Sequence, residues 1–147
     1  YSEDWLRDLG LLPATPSADA TVADLVRDGA RAWVKPSETL YWAARHLGER
    51  GVRPLPVVEK EGGPLLGVVD EEQVLELLAA GEDLEPLFVR DYLAEAGPVL
   101  DASAPWREAL TALADHERVL VREEEGWAPL ERRDVLRALP RLDHGSK

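Results

Sequence analysis

Residues 65–78 read LLGVVDEEQVLELL: an apolar run, one acid, then a helical pattern. Leu65–Val69 has the composition of a buried strand. Val74, Leu77 and Leu78 then recur at helical spacing and predict one buried stripe. Between them, Asp70 and Gln73 stand at the spacing of a capping box, which satisfies two amide N–H groups at a helix start. Upstream, RPLPVVE (residues 53–59) predicts a strand over roughly 55–59, joined to 65–69 through the Gly62-Gly63 turn.

Working outward, the same order recurs. TVADLV (21–26) matches FVRDYL (88–93), with Asp24 and Asp91 coinciding 67 residues apart. VKPSETLYWAARHL (34–47) matches LDASAPWREALTAL (100–113), shifted by 66. Each of these holds a short apolar segment, a serine, and a helix with one apolar stripe. The stripes are Leu40, Ala43, Ala44 and Leu47, and Trp106, Ala109, Leu110 and Leu113. Ser37 and Ser103 are the expected N-caps. RVLVREEEGWAPL (118–130) repeats the hairpin, and Val135, Leu136 and Leu139 form the stripe of a closing helix. The fold class is therefore α+β, with two strand–helix–strand–strand–helix units of about 60 residues, over 21–81 and 82–140. Units this small bury too little surface alone and should pack face to face. Residues 1–20 read as a short helix (SEDWLRDLG) and a proline-punctuated linker, and 141–147 as a polar tail.

Composition narrows the function. Of 147 residues, 29 are acidic and 17 basic, giving a net charge of −12. Such a chain is repelled by nucleic acid and by anionic lipid. No apolar run approaches the ~20 residues of a membrane span. The absence of cysteine removes thiol chemistry and Cys-based metal sites, and fits a reducing cytoplasm. His46, His116 and His144 have no metal-ligand spacing and read as surface residues. Glu123–Glu125 reads as a solvated hairpin loop. No nucleophile, base and orienting group occur in order, so nothing supports catalysis.

The paired lead-in segments, the helix after PSETL, the RPLPVVE strand and the LLGVVDEEQVLELL unit together resemble a tandem pair of CBS domains, named after cystathionine beta-synthase. The resemblance covers about residues 20–140. It implies two units packed with pseudo-two-fold symmetry around clefts for an adenosyl ligand: AMP, ADP, ATP or S-adenosylmethionine. It also implies a regulatory, non-catalytic role toward an attached or separate enzyme or transporter.

The family's ligand motif is glycine, two apolar residues, Thr or Ser, two variable residues and Asp. The hydroxyl residue caps a helix and touches phosphate, and the aspartate holds the ribose. A helix N-terminus suits phosphate through its free N–H groups and dipole. The first unit matches with Gly67, Val68 and Val69, but Asp70 replaces the hydroxyl residue and Gln73 the aspartate. A phosphate 4 Å from Asp70 would be repelled by about 4 kcal/mol at an effective dielectric near 20. Asp70 and Gln73 thus read first as a helix cap. In the second unit, Leu130, Glu131, Arg132, Arg133 and Asp134 stand at the motif's end. Asp134 matches the ribose position, Glu131 replaces the hydroxyl, and both arginines could pair with phosphate. An ordinary acid in a helix's first turn is the equal alternative for Asp134.

The resemblance adds pocket walls at Ala32, Trp33, Pro98, Val99, Leu55, Pro56 and Arg118. Core packing is the competing role, and the favoured one for Leu55 and Val99. Tyr41, Trp42 and Leu75 fall outside the buried stripes and suggest a helix-face homodimer contact. Packing against the neighbouring unit is the alternative. A structural module for dimerisation or partner docking, without ligand, is the second reading of the whole chain.

Overall fold

The computed structural model describes residues 20–144. The helix and linker expected before residue 20 lie outside the described residues, as do 145–147 of the polar tail. Two α+β units pack with pseudo-two-fold symmetry. Unit one holds α1 (Leu40–Arg50), β1 (Leu55–Val58), β2 (Leu65–Val69) and α2 (Glu71–Ala79). Unit two holds β3 (Val99–Asp101), α3 (Trp106–Asp115), β4 (Arg118–Glu123), β5 (Gly126–Glu131) and α4 (Arg132–His144).

Both hairpins are antiparallel, pairing Leu55 with Val69 and Val119 with Leu130. β3 runs parallel to β4. Its counterpart in unit one is reduced to one residue. Val34 donates its N–H to Pro56 O and accepts from Val58 N–H, each at 3.0 Å. Gly62, at φ 73°, turns the first hairpin in the left-handed region that glycine tolerates.

The helix starts differ from expectation. Ser37 and Ser103 are exposed and cap nothing. A turn closed by Glu38 N–H on Lys35 O delays α1, so that Thr39 caps it by accepting from Trp42 N–H at 3.2 Å. Pro105 occupies the N-cap of α3 and supplies no side-chain bond. Asp70 and Gln73 do form the capping box expected of them.

Two apolar clusters make the core, and they do not follow the sequence repeat. One joins Ala32, Val34, Leu40, Leu55, Val57 and Val69 with Leu84 and Val89. The other joins Ala20, Val22, Leu25 and Ala30 with Trp106, Val119, Leu130 and Ala138. Each unit thus receives the lead-in segment of the other repeat. Backbone bonds fix the exchange: Val22 N–H to Ala104 O at 2.9 Å, and Val89 N–H to Glu38 O at 2.9 Å.

Leu78, Leu110 and Leu136, expected in buried stripes, are exposed instead. Within one chain only one face of each helix is covered, and Ala138 takes the core position on α4.

Candidate functional site

The two hairpins face each other, and the ends of β2 and β5 lead directly into α2 and α4. Asp70 and Glu131 therefore occupy equivalent N-terminal positions. Asp70 N–H donates to Gln73 Oε1 at 3.0 Å, and Glu131 N–H donates to Asp134 Oδ2 at 2.8 Å. The residue three positions on serves the same local purpose in both units: it ties down the first amide of its own helix.

The side chains of Asp70 and Glu131 are paired across the units. Arg118, opening β4, places Nη2 3.2 Å from Asp70 Oδ2. Arg53, ahead of β1, donates from Nε to Glu131 Oε1 at 3.1 Å and from Nη1 to Glu71 Oε1 at 2.6 Å. Each unit thus supplies an arginine to the other's carboxylate. Glu71 and then Glu131 hold the Arg53 guanidinium above its ordinary pKa.

Two cavities flank this crossed arrangement. One, of about 340 Å³, is lined by Arg53, Glu71, Glu117, Arg118, Glu131, Arg132 and Arg133. The other, of about 390 Å³, includes Asp70, Pro98, Asp115, His116, Glu117 and Arg118. Glu117 and Arg118 line both. The first offers four guanidinium groups against three carboxylates. Its chemistry is that of an oxyanion cradle whose cations are already partly satisfied.

The cleft brings together many of the residues anticipated from sequence: Asp70, Arg118, Glu131, Arg132, Arg133 and Pro98. Asp134 is buried, 6% exposed, with Oδ1 3.4 Å from Arg137 Nη1. Gln73 spends its amide N–H₂ on Tyr92 O at 2.9 Å. Arg132 donates from Nε to Leu113 O at 2.7 Å, tying α4 to the end of α3. Leu55, Leu130 and Ala32 are core residues, and Pro56 is buried in β1. Val99 is 45% exposed, against the core role favoured for it. Side chains alternate on a strand, and Leu100 is the β3 residue that packs inward.

Arg53 was not singled out in the sequence. Its only signal was its place opening RPLPVVE, and its cross-unit partner could not be foreseen. The linker was missed as well. Ala94 bridges Val68 through bonds of 3.0 and 2.9 Å, and Gly67 has no room for a side chain beneath it. A Cβ there would lie 3.0 Å from Ala94 O and 3.1 Å from Leu93 Cβ. The acidic loop is not wholly solvated either. Glu123 pairs with Arg31, and its Oε1 is buried without a hydrogen-bond partner. Among the described residues no group of three or more His, Asp or Glu could hold a metal ion, and no helix is long and apolar enough to cross a membrane.

Tyr41, Trp42 and Leu75 are exposed on their helices. Arg45 lies over the Trp42 ring at 5.5 Å. Leu75 at 63% and its counterpart Leu136 at 67% are far more exposed than the core leucines.

A family model described as CBS domain matches residues 22–80. A search of curated proteins finds no match. Among solved structures, the CBS-pair protein CBSX2 from Arabidopsis thaliana is 25% identical, with 84% of this chain and 96% of that one covered at a TM-score of 0.65. CBSX2 in complex with AMP is likewise 25% identical, with 83% and 97% covered and a TM-score of 0.61. Hypoxic Response Protein I, solved with two coordinated zinc ions, is 28% identical, with 81% and 98% covered and a TM-score of 0.57. The family model thus identifies residues 22–80 as a CBS domain, and the fold of both units is similar to that of a CBS-domain pair.

Proposed function

We propose that this protein is a regulatory module whose inter-unit cleft takes an adenosyl ligand, with AMP the leading candidate over ADP, ATP and S-adenosylmethionine. The observation that carries this reading is the convergence of Arg53, Arg118, Arg132 and Arg133 on one cavity at the N-terminus of α4. The AMP complex of CBSX2 supports the ligand class. Three carboxylates in the same cavity favour one phosphate over a polyphosphate chain. Asp134, whose two oxygens take Glu131 N–H and Arg137, would take part by holding the start of α4 beside the cavity. The role is regulatory rather than catalytic, acting on an enzyme or transporter in a cytoplasmic setting. Neither nucleic acid nor a membrane surface is a partner, in keeping with the charge of −12.

A thermal-shift panel of AMP, ADP, ATP, adenosine and S-adenosylmethionine, with and without magnesium, tests this reading. A ligand that binds only the folded state raises the melting temperature by mass action. No shift at millimolar concentration with any of them would refute it.

The second reading is a ligand-free interaction module that assembles as a homodimer through its helix faces. The exposure of Tyr41, Trp42, Leu75 and Leu136 favours it. Sedimentation of the parent chain would separate the two: a dimer unaffected by every adenosyl compound supports the interaction module.

A further inference from the structure

We propose that Glu131 is an internal anion latch. In the ligand-free protein its carboxylate occupies the guanidinium face of Arg53 that an entering phosphate takes, and phosphate binding displaces it. This rests on the reading of the cleft as the ligand site, but not on the adenosyl group.

The two crossed pairs are not equivalent, and that difference identifies the half that yields. Asp70 is anchored three times, accepting Glu71 N–H at 2.8 Å and the Gln73 N–H of the capping box as well as pairing with Arg118. Releasing it would uncap α2. Among the described residues the side chain of Glu131 has one partner, Arg53, and its backbone N–H is held separately by Asp134. The carboxylate can therefore swing away without disturbing the start of α4.

Solvent access points the same way. The Arg53 and Glu131 side chains are 43% and 28% exposed. A pair open to water contributes little net stability, so another anion can compete for it. Glu131 holds Arg53 through a single bond, Nε to Oε1, and a phosphate oxygen is an equivalent acceptor for that N–H. Arg133 lines the same cavity and has no ion-pair partner among the described residues, which supplies a second cation to the newcomer. Because Glu131 and Arg53 belong to different units, the exchange transfers the tether between units from protein to ligand.

The test is calorimetric titration of the full chain and of Glu131→Gln at fixed ionic strength, with inorganic phosphate, AMP and adenosine as probes. Neutralising the latch should tighten phosphate and AMP by about tenfold. Adenosine, which carries no phosphate, should be unaffected. Adding Arg53→Gln to Glu131→Gln should remove the gain. Equal phosphate affinity in the parent and Glu131→Gln, including none in either, would overturn the latch, as would a gain that survives Arg53→Gln. If the variant gains phosphate affinity but AMP binds no better than phosphate, the latch stands and the adenosyl reading falls. Circular dichroism of Glu131→Gln, with Glu131→Ala alongside, confirms that the fold is intact.

Discussion

Arg118 Nη2 lies 3.2 Å from Asp70 Oδ2, joining the first residue of β4 to the N-cap of α2 across the boundary between units. Asp70 also accepts Glu71 N–H at 2.8 Å, so one carboxylate caps a helix and tethers a neighbour. Asp70→Ala should therefore cost about 1–2 kcal/mol, mostly through the lost cap. Arg118→Ala leaves the cap intact and should cost less. Urea denaturation of the two variants checks the order, and a larger loss for Arg118→Ala would contradict it.

Gly67 is where the linker meets unit one. A methyl group there meets Ala94 O at 3.0 Å, the acceptor of the Val68 N–H bond. Gly67→Ala should destabilise by about 1–3 kcal/mol through overpacking. Faster hydrogen exchange at the Val68 amide, with little change in unit two, is the accompanying signature.

Asp134→Ala should cost about 1–3 kcal/mol, because it strands Glu131 N–H at a half-buried helix start. Asp134→Asn retains an acceptor for that amide and should recover most of the loss. Thermal melts in the absence of any ligand distinguish the two, so the structural part of Asp134's role is measured apart from binding.

Leu25 stands in the first repeat yet is fully buried in the core of unit two. Leu25→Ala should cost about 2–5 kcal/mol as a buried truncation. Protection against exchange should fall first in α3 and α4, not in the adjacent β1 and β2.

The helix faces offer a fifth test. Leu75→Asp and Leu136→Asp replace exposed residues and should alter monomer stability by no more than about 0.5 kcal/mol. If these faces join two copies, either change shifts sedimentation toward the monomer. A dimer untouched by both places the contact elsewhere.

Local signals made much of this fold legible. The 3.6-residue stripes, the glycine turn and the Asp70–Gln73 capping box each depend on residues close in sequence, and the duplication multiplied their weight. Leu78, Leu110 and Leu136 were misread because periodicity reports an apolar face without saying what covers it. Ser37 was read as the cap of the first helix, but the turn at Lys35–Glu38 delays the helix start to Thr39, and nothing in the periodicity reports that turn. Within the site, the motif comparison reached Asp70, Glu131 and Asp134. It missed Arg53, since an ion pair spanning 78 residues leaves no local pattern.

The exchanged lead-in segments have a consequence for how the chain acquires its shape. The core of unit one is drawn from a single stretch, Ala32 to Val89. The core of unit two needs Ala20–Ala30 together with residues from Trp106 onward. A tandem duplication in sequence has become a nested arrangement in space. During synthesis the inner unit is complete while the first strip of the outer unit still lacks a partner. Condensation of the inner unit draws the two outer pieces toward one another and shortens the loop that the outer core must close. The inner unit thus serves as the folded linker of the outer one. A cut at the repeat boundary near residue 81 would remove Leu84 and Val89 from the core of unit one and leave its partner without Val22 and Leu25.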